Sequence, residues 1–373
     1  MTSELSSLCS YAKGKVSVDT LSKRNYVSTE NMMPNKGGIV DAGALPSAQY
    51  TQQYIKDDIL VSNIRPYFKK IWMADDDGGC SNDVLVFRAD RGCDSTFLYY
   101  ILANDAFFNY ASATSKGTKM PRGDKTAIMQ YKVPCFNYET QLRIGKLLRS
   151  IDDQIAVNKK INDNLQQQAA ALFADFYDRA ETEVGFTEII QILGGGTPKT
   201  GESSYWNGNV PFFTPKDVGS PYTLATEKTI TEEGLAHCNS RLYPINTVFV
   251  TARGTVGKVG LPGVPMAMNQ SCYALVGKDT HQLLVYFYTL KAVDRLKHKA
   301  SGAVFDAITT RDFESEIIMK LSDDDEKAFL DVAQPIYQAV LSNSIENLGL
   351  AALRDSLLPK LMSGEIDASA VQL

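Results

Sequence analysis

The residues best suited to chemistry in this chain are cations set among aromatic rings, amides and glycines. Arg65-Pro66-Tyr67-Phe68-Lys69-Lys70 interleaves both kinds, and Lys116, Lys119, Arg122 and Lys125 crowd a glycine-containing segment. Gly194-Gly195-Gly196-Thr197-Pro198-Lys199 runs on to Tyr205-Trp206-Asn207-Gly208, and then to Thr214-Pro215-Lys216-Asp217. Thr251-Ala252-Arg253-Gly254-Thr255-Val256-Gly257-Lys258 puts two glycines between two cations, so a tight turn there lets backbone approach a ligand closely. Met268-Asn269-Gln270-Ser271 follows, and Lys297-His298-Lys299-Ala300-Ser301-Gly302 forms a second basic stretch. Cations hold phosphates, while amides and hydroxyls can reach base edges, so the pattern suits a grip on nucleic acid. The plain alternative, a hairpin or surface loop with solvated lysines, is about as good for any one site. Recurrence of basic loops in both halves favours function.

Catalytic signatures are missing. An amino-directed DNA methyltransferase needs an Asn/Asp-Pro-Pro-aromatic loop around the extruded base, yet none of the fourteen prolines adjoins another. The nearest approach to a phosphate loop has Ala252 for the first glycine and Val259 for the hydroxyl residue. Gly254–Gly260 lacks the dinucleotide spacing and opens no helix. The three histidines (His237, His281, His298) share no metal-ligand spacing. Asp75-Asp76-Asp77 reads as a solvated turn beside Gly78-Gly79, and Asp323-Asp324-Asp325-Glu326 as the acidic first turn of a helix.

A length of 373 residues allows two cores, and 44% hydrophobic with 22% charged residues describes a globular chain. Six scattered cysteines without a Cys-x-x-Cys pair fit neither a zinc site nor a disulfide framework, and suit a reducing cytoplasm. No signal peptide or membrane span is expected. The net charge of −5 is unevenly spread. Residues 1–137 carry 16 basic against 14 acidic side chains, and 187–320 carry 13 against 12. The acid surplus lies in 138–186 and from 321 onward.

Those acidic stretches are the elements that must position the rest. Tyr138–Arg179 has Ile144, Leu148, Ile151, Ile155, Asn158, Asn162, Leu165, Ala169, Leu172 and Phe176 at alternating steps of four and three. This is a coiled-coil seam with two asparagines, residues that fix register at a cost in stability. Ser322–Leu361 shows a looser seam through Phe329, Val332, Ile336, Val340, Asn343, Asn347, Leu350, Leu353 and Leu357, with a start or kink expected at Pro335. The second helix lies about 184 residues after the first. Upstream, Ile59-Leu60-Val61-Ser62 parallels Val248-Phe249-Val250-Thr251. The chain therefore repeats one plan: a mixed segment, then a long helix. The expectation is α+β, with two pseudo-two-fold-related domains of twisted, mostly antiparallel sheets separated by two long antiparallel coiled-coil helices. Boundaries fall at 1–137, 138–180, 187–320 and 321–373.

The glycine–threonine–proline block, the Tyr205-Trp206 pair, Phe212-Phe213-Thr214-Pro215-Lys216-Asp217, the Arg253–Lys258 turn and Asn269-Gln270-Ser271, in that order before a heptad helix, resemble the specificity subunit of type I restriction–modification systems. The likeness is strong over the second half. In the first half it rests on architecture, on Ser81-Asn82-Asp83 before a strand and on Glu139–Gln141 at the helix start; the glycine–threonine–proline block has no counterpart there. The resemblance implies two target-recognition domains, each reading one half of a split, asymmetric sequence in double-stranded DNA. It implies no catalytic site and no cofactor on this chain. Two methyltransferase subunits and two motor–nuclease subunits would be the partners, holding S-adenosylmethionine, ATP and Mg2+. Arg65, Tyr67, Lys69, Lys70, Lys116, Lys119, Arg122 and Lys125 are the expected DNA contacts of the first unit. Thr197, Lys199, Tyr205, Lys216, Arg253, Thr255, Lys258, Asn269, Gln270, Lys297 and Lys299 are those of the second. A self-sufficient DNA methyltransferase or nuclease, and a coiled-coil scaffold that never touches DNA, are the competing readings.

Overall fold

A computed structural model describes residues 2–299 and 307–368. The chain divides into two compact units, Met1–Ile155 with Gly349–Leu373, and Ala156–Leu348. Among the described residues no helix is long and apolar enough to cross a membrane.

The first unit is built around one strand with both faces covered. Ile59, Leu60 and Val61 in the strand Ile59–Ser62 are all buried. Side chains alternate along a strand, and the environments follow. Ile59 and Val61 join the cluster of Phe87, Phe97, Leu98 and Phe107 beneath the helices Ser95–Ala103 and Asp105–Ala113. Leu60 faces the other way, into Tyr54, Cys80, Val84 and Val86. An antiparallel sheet runs in the order Cys9–Tyr11, Val84–Ala89, Ile59–Ser62, Ile71–Met73. A second sheet holds Lys15–Ser17, Tyr50–Tyr54, Gly78–Cys80 and Tyr26–Val27, the last pair parallel. Each fully buried aliphatic or aromatic side chain contributes about 1.5–3 kcal/mol. The charged exception is Asp58, which accepts two bonds from Arg88 at 2.7 and 2.6 Å.

The second unit repeats the plan with other residues. Val248 and Val250 face the helix Gln282–Lys299, while Phe249 faces Phe213, Met266 and Met268. The main sheet runs Ile190–Gly194, Cys272–Gly277, Val248–Thr251, Val259–Pro262, Tyr222–Thr223, with only the last pair parallel. A small sheet joins Lys228–Ile230, Trp206–Phe213 and Ala267–Met268. The closing hairpin-like pairs also correspond. Thr2–Glu4 pairs with Lys132–Pro134 in one unit, and Thr182–Gly185 with Ile317–Lys320 in the other.

Two long helices run Tyr138–Arg179 and Asp323–Ser363. Ser322 caps the second, its hydroxyl accepting from the Asp325 amide at 3.2 Å, and four acidic residues occupy its first turn. The helix begins upstream of Pro335 and continues through it, so the start expected there is not found. Within the second unit the helices are antiparallel: Asn158 meets Asn347, Asn162 meets Asn343, and Phe173 meets Phe329. The asparagines face each other as the seam predicts. Asn162 donates to the Val340 carbonyl at 3.2 Å and accepts from Asn343 at 2.8 Å.

Outside this polar stretch the heptad spacing gives way. Phe173 and Tyr177 are buried, with Leu172 and Phe176 only partly so; Ala333 and Tyr337 are buried where Val332 is 48% exposed. Leu353 is exposed and Leu358 and Leu361 buried. These positions pack into a domain core (Phe173 against Phe287 and Tyr288), and a helix laid on a broad core buries a wider stripe than a coiled-coil partner does. In the first unit Asp152 accepts from Tyr100 and Arg354, both at 2.6 Å.

Replacing Asn162 by Ala would leave the Asn343 amide without its acceptor across the interface, while the Val340 carbonyl keeps its bond from the Ser344 hydroxyl. The expected loss is about 1–3 kcal/mol, read as a lower midpoint in urea unfolding of the full chain. An unchanged midpoint would show that the polar seam is not stabilising.

Candidate nucleic-acid interface

In the second unit four loops meet where the main sheet joins the small one. The Gly196 amide donates to the Met268 carbonyl at 3.1 Å, and Asn269 donates to Phe213 at 2.9 Å. A Cβ at Gly195 would collide with the Asn269 carbonyl, which is why glycine stands there. Ala252 donates to Ser271 at 2.8 Å, and the Thr255 hydroxyl donates to the Pro215 carbonyl at 3.3 Å. Gly254 and Gly257 take positive φ (82° and 73°) to turn the chain between the strands Val248–Thr251 and Val259–Pro262. The Thr251 hydroxyl closes that turn by donating to the Thr255 carbonyl.

Thr197, Lys216, Arg253, Thr255, Lys258, Asn269 and Gln270 are thereby brought together. Thr197 donates to the Gln270 side-chain oxygen. Arg253, Thr255, Lys258 and Gln270 are exposed, and among the described residues the one ion pair of Lys216 is with Glu227 at 3.8 Å. The Lys297 side chain lies over Gly257, where a Cβ would run into it. Lys199 is exposed, its carbonyl accepting from the Trp206 indole at 3.2 Å, and Tyr205 stacks on His237 with ring centres 5.0 Å apart. Lys297 and Lys299 end the helix Gln282–Lys299, where cations complement the dipole, rather than lying on a loop. Lys299 is committed to the buried Glu316. The rest of that basic stretch, Ala300-Ser301-Gly302, lies outside the described residues.

The first unit holds its expected cations differently. Arg65 is left-handed (φ 50°), its amide donating to Pro121 at 2.8 Å, and it leads into the single helical turn Pro66–Phe68. Tyr67 is 52% exposed and packs against Phe68. Lys69 pairs with Asp105 at 2.8 Å, and Lys70 donates to the Thr29 carbonyl at 2.6 Å. The bond from Lys69, and after it Lys36, holds the Asp105 carboxyl below the usual carboxylate range. Lys116 pairs with Asp124 and Arg122 with Asp83 at 2.9 Å. The Lys116 ammonium, with the Ala127 amide, likewise lowers Asp124. Four of the eight cations and aromatics expected here are thus tied into the fold. Lys119 and Lys125 are exposed, and among the described residues neither has an ion pair.

One feature of both loop clusters escapes sequence inspection. The Asp217 carboxylate accepts from the Thr214 amide (2.8 Å), the Thr214 hydroxyl (2.6 Å) and the Glu227 amide (2.8 Å), pinning Thr214–Asp217. In the first unit the Asn31 side-chain oxygen accepts from the Ser28 amide (2.6 Å) and hydroxyl (3.1 Å). Both turns follow the strand that pairs in parallel with its neighbour. A hydroxyl residue three before Asp or Asn is the available signal, but it is common in turns generally. Among the described residues, no three His, Cys, Asp or Glu gather as metal ligands would.

The family model for the type I restriction modification DNA specificity domain matches residues 1–167 and again 182–326. The chain belongs to this family, the specificity subunits of type I restriction–modification systems, and carries the domain twice. It is similar to the type I restriction enzyme HindI specificity subunit of Haemophilus influenzae, at 24% identity over 433 aligned positions covering 91% of this chain and 94% of that one. It is 32% identical over 124 residues to the MjaIX specificity subunit of Methanocaldococcus jannaschii, a match spanning 32% of this chain and 29% of that protein. Among solved structures, the type I S subunit from M. genitalium shares the fold, with a TM-score of 0.59 at 15% identity over 97% of this chain and 96% of that one.

Asp217→Ala should free the 214–217 turn, costing about 1–2 kcal/mol for the lost bonds and opening the loop to limited proteolysis near Lys216. A cleavage pattern identical to the parent's would show the turn to be held by its neighbours alone.

Proposed function

We propose that each unit reads one half of a bipartite, asymmetric target in double-stranded DNA, and that the two long helices set the unspecified spacer between the halves. The observation that carries this is the duplicated loop cluster, built twice on the same strand frame from different residues. One frame with two sets of exposed polar side chains suits two different half-sites. In this reading residues 1–137 and 187–320 are the target-recognition domains, and 138–180 and 321–373 are the spacers. Exposed lysines and arginines would hold phosphates while amides and hydroxyls reach base edges.

The chemistry would belong to partners: two methyltransferase subunits with S-adenosylmethionine, and two motor–nuclease subunits with ATP and Mg2+. This chain would hold none of these. A docking face is supported in the second unit, where Val157 and Ile161 on one helix, and Ile345 and Leu348 on the other, are 43–51% exposed. Apolar residues three or four apart on a helix form one patch, a common mark of a protein contact.

Gel shifts on random duplexes, with and without a methyltransferase partner, separate this reading from its competitors. Retardation that weakens linearly on a logarithmic salt scale is expected. Binding to no duplex would leave a scaffold, and methylation or cleavage by the chain alone would make it an enzyme. The spacer role has its own test: matched seven-residue insertions after Ile155 and before Gly349. Each adds about 10 Å of helix, so the methylated sites should gain about three base pairs of spacer. An unchanged spacer in an active complex would refute the ruler.

A further inference from the structure

In the first unit, a polar cleft of about 400 Å³ is bordered by strands of both four-stranded sheets and lined among others by Lys13, Lys15, Tyr50, Gln52, Asn82 and Lys125. Except for Lys125, none of these belongs to the basic loops singled out from the sequence. Lys13, Lys15 and Lys125 are exposed, and among the described residues none has an ion pair. That sets them apart from Lys69, Lys116 and Arg122, whose charges are answered by Asp105, Asp124 and Asp83. The Asn82 carboxamide is exposed at the cleft edge, and among the described residues its side chain has no hydrogen-bond partner. Tyr50, 54% exposed, adds an aromatic face.

The repeat identifies the counterpart of Asn82. Ser81 donates to Val27 at 2.9 Å as Asn269 donates to Phe213 at 2.9 Å. Asn63 donates to Asp83 at 2.8 Å as Ala252 donates to Ser271 at 2.8 Å. Between those two anchors stands one residue in each unit, Asn82 and Gln270, and both are exposed. Each is followed by the strand that pairs with the opening strand of its sheet, Cys9–Tyr11 or Ile190–Gly194. The loop leaving that opening strand carries Lys13 in the first unit, with Lys15 opening the next strand, and Thr197 and Lys199 in the second, where the Thr197 hydroxyl reaches Gln270.

We infer that the Lys13–Lys15–Asn82–Lys125 cleft is the duplex-DNA site of the first unit, and that Asn82 and Gln270 are equivalent base-reading carboxamides, one per half-site. Three uncommitted ammonium groups around the cleft match the backbone of a polyanion. A carboxamide offers one donor and one acceptor side by side, the complement of an adenine edge in the major groove. The inference rests on the DNA-reading function proposed above, and assigns its contacts in the unit where the basic loops are internally paired.

The test is selection from randomised duplexes by the full chain with its methyltransferase partner, followed by sequencing. Asn82→Ala should lose roughly tenfold in preference at one base pair of one half-site, and leave the other half intact. Gln270→Ala should do the same in the opposite half. Asn82→Asp, which exchanges the amide donor for an acceptor, should move preference at that position from adenine toward cytosine. Lys13→Ala combined with Lys15→Ala should weaken all sequences alike and lower the salt slope by about two. If the parent complex selects a motif and the Asn82 variants select the same one, the inference fails while the DNA-reading function stands. If the parent selects nothing, that function fails and the inference with it.

Discussion

The structure depends on one strand in each unit being buried on both faces. Ile59-Leu60-Val61 and Val248-Phe249-Val250 each put two side chains under the helices and one against the second sheet. A strand gripped from both sides has little freedom of register, because a one-residue slip would exchange its faces. The backbone leaving it is then anchored at once, Asn63 to Asp83 in one unit and Ala252 to Ser271 in the other. Loops hung from such a frame can change their exposed residues with little effect on stability. That separation lets one fold carry two different sets of exposed side chains in a single chain.

The helices solve a different problem. A wholly apolar seam would be more stable but less exact in register, and Asn158, Asn162, Asn343 and Asn347 instead trade stability for alignment. Their amides pair across the interface within the second unit, joined by Glu346 and Ser344. Toward the ends the same helices abandon the seam and enter the domain cores through Phe173, Phe329, Ala333 and Tyr337. Each helix is thus both a partner of the other helix and a wall of a globular unit, which explains why the compact units divide the helices rather than exclude them.

Much of this was legible from sequence because it is local or repeated. The strand pair Ile59–Ser62 and Val248–Thr251, the 254–257 turn, the asparagines of the seam and the acidic start at Asp323 all have short-range signals. The buried ends of the helices were not legible. Hydrophobic periodicity says that a face is covered, and cannot say whether a helix or a core covers it, so the heptad spacing includes Val332 and Leu353 although both are exposed. Nor does charge show its partner. Lys69 finds Asp105 and Arg122 finds Asp83 across 36 and 39 residues, pairings no local pattern announces. The likeness of Ser28–Asn31 to Thr214–Asp217, and of Asn82 to Gln270, lies in backbone bonds rather than residue identity. Only the fold brings it out.

The central claim is that two separately framed reading surfaces in one chain divide a DNA target between them. Methylation-sensitive sequencing of the genome that encodes the chain tests it most directly. The account predicts one modified motif made of two different short specified blocks separated by a run of unspecified base pairs of fixed length. A single continuous or palindromic modified motif, dependent on this chain for its methylation, would contradict it.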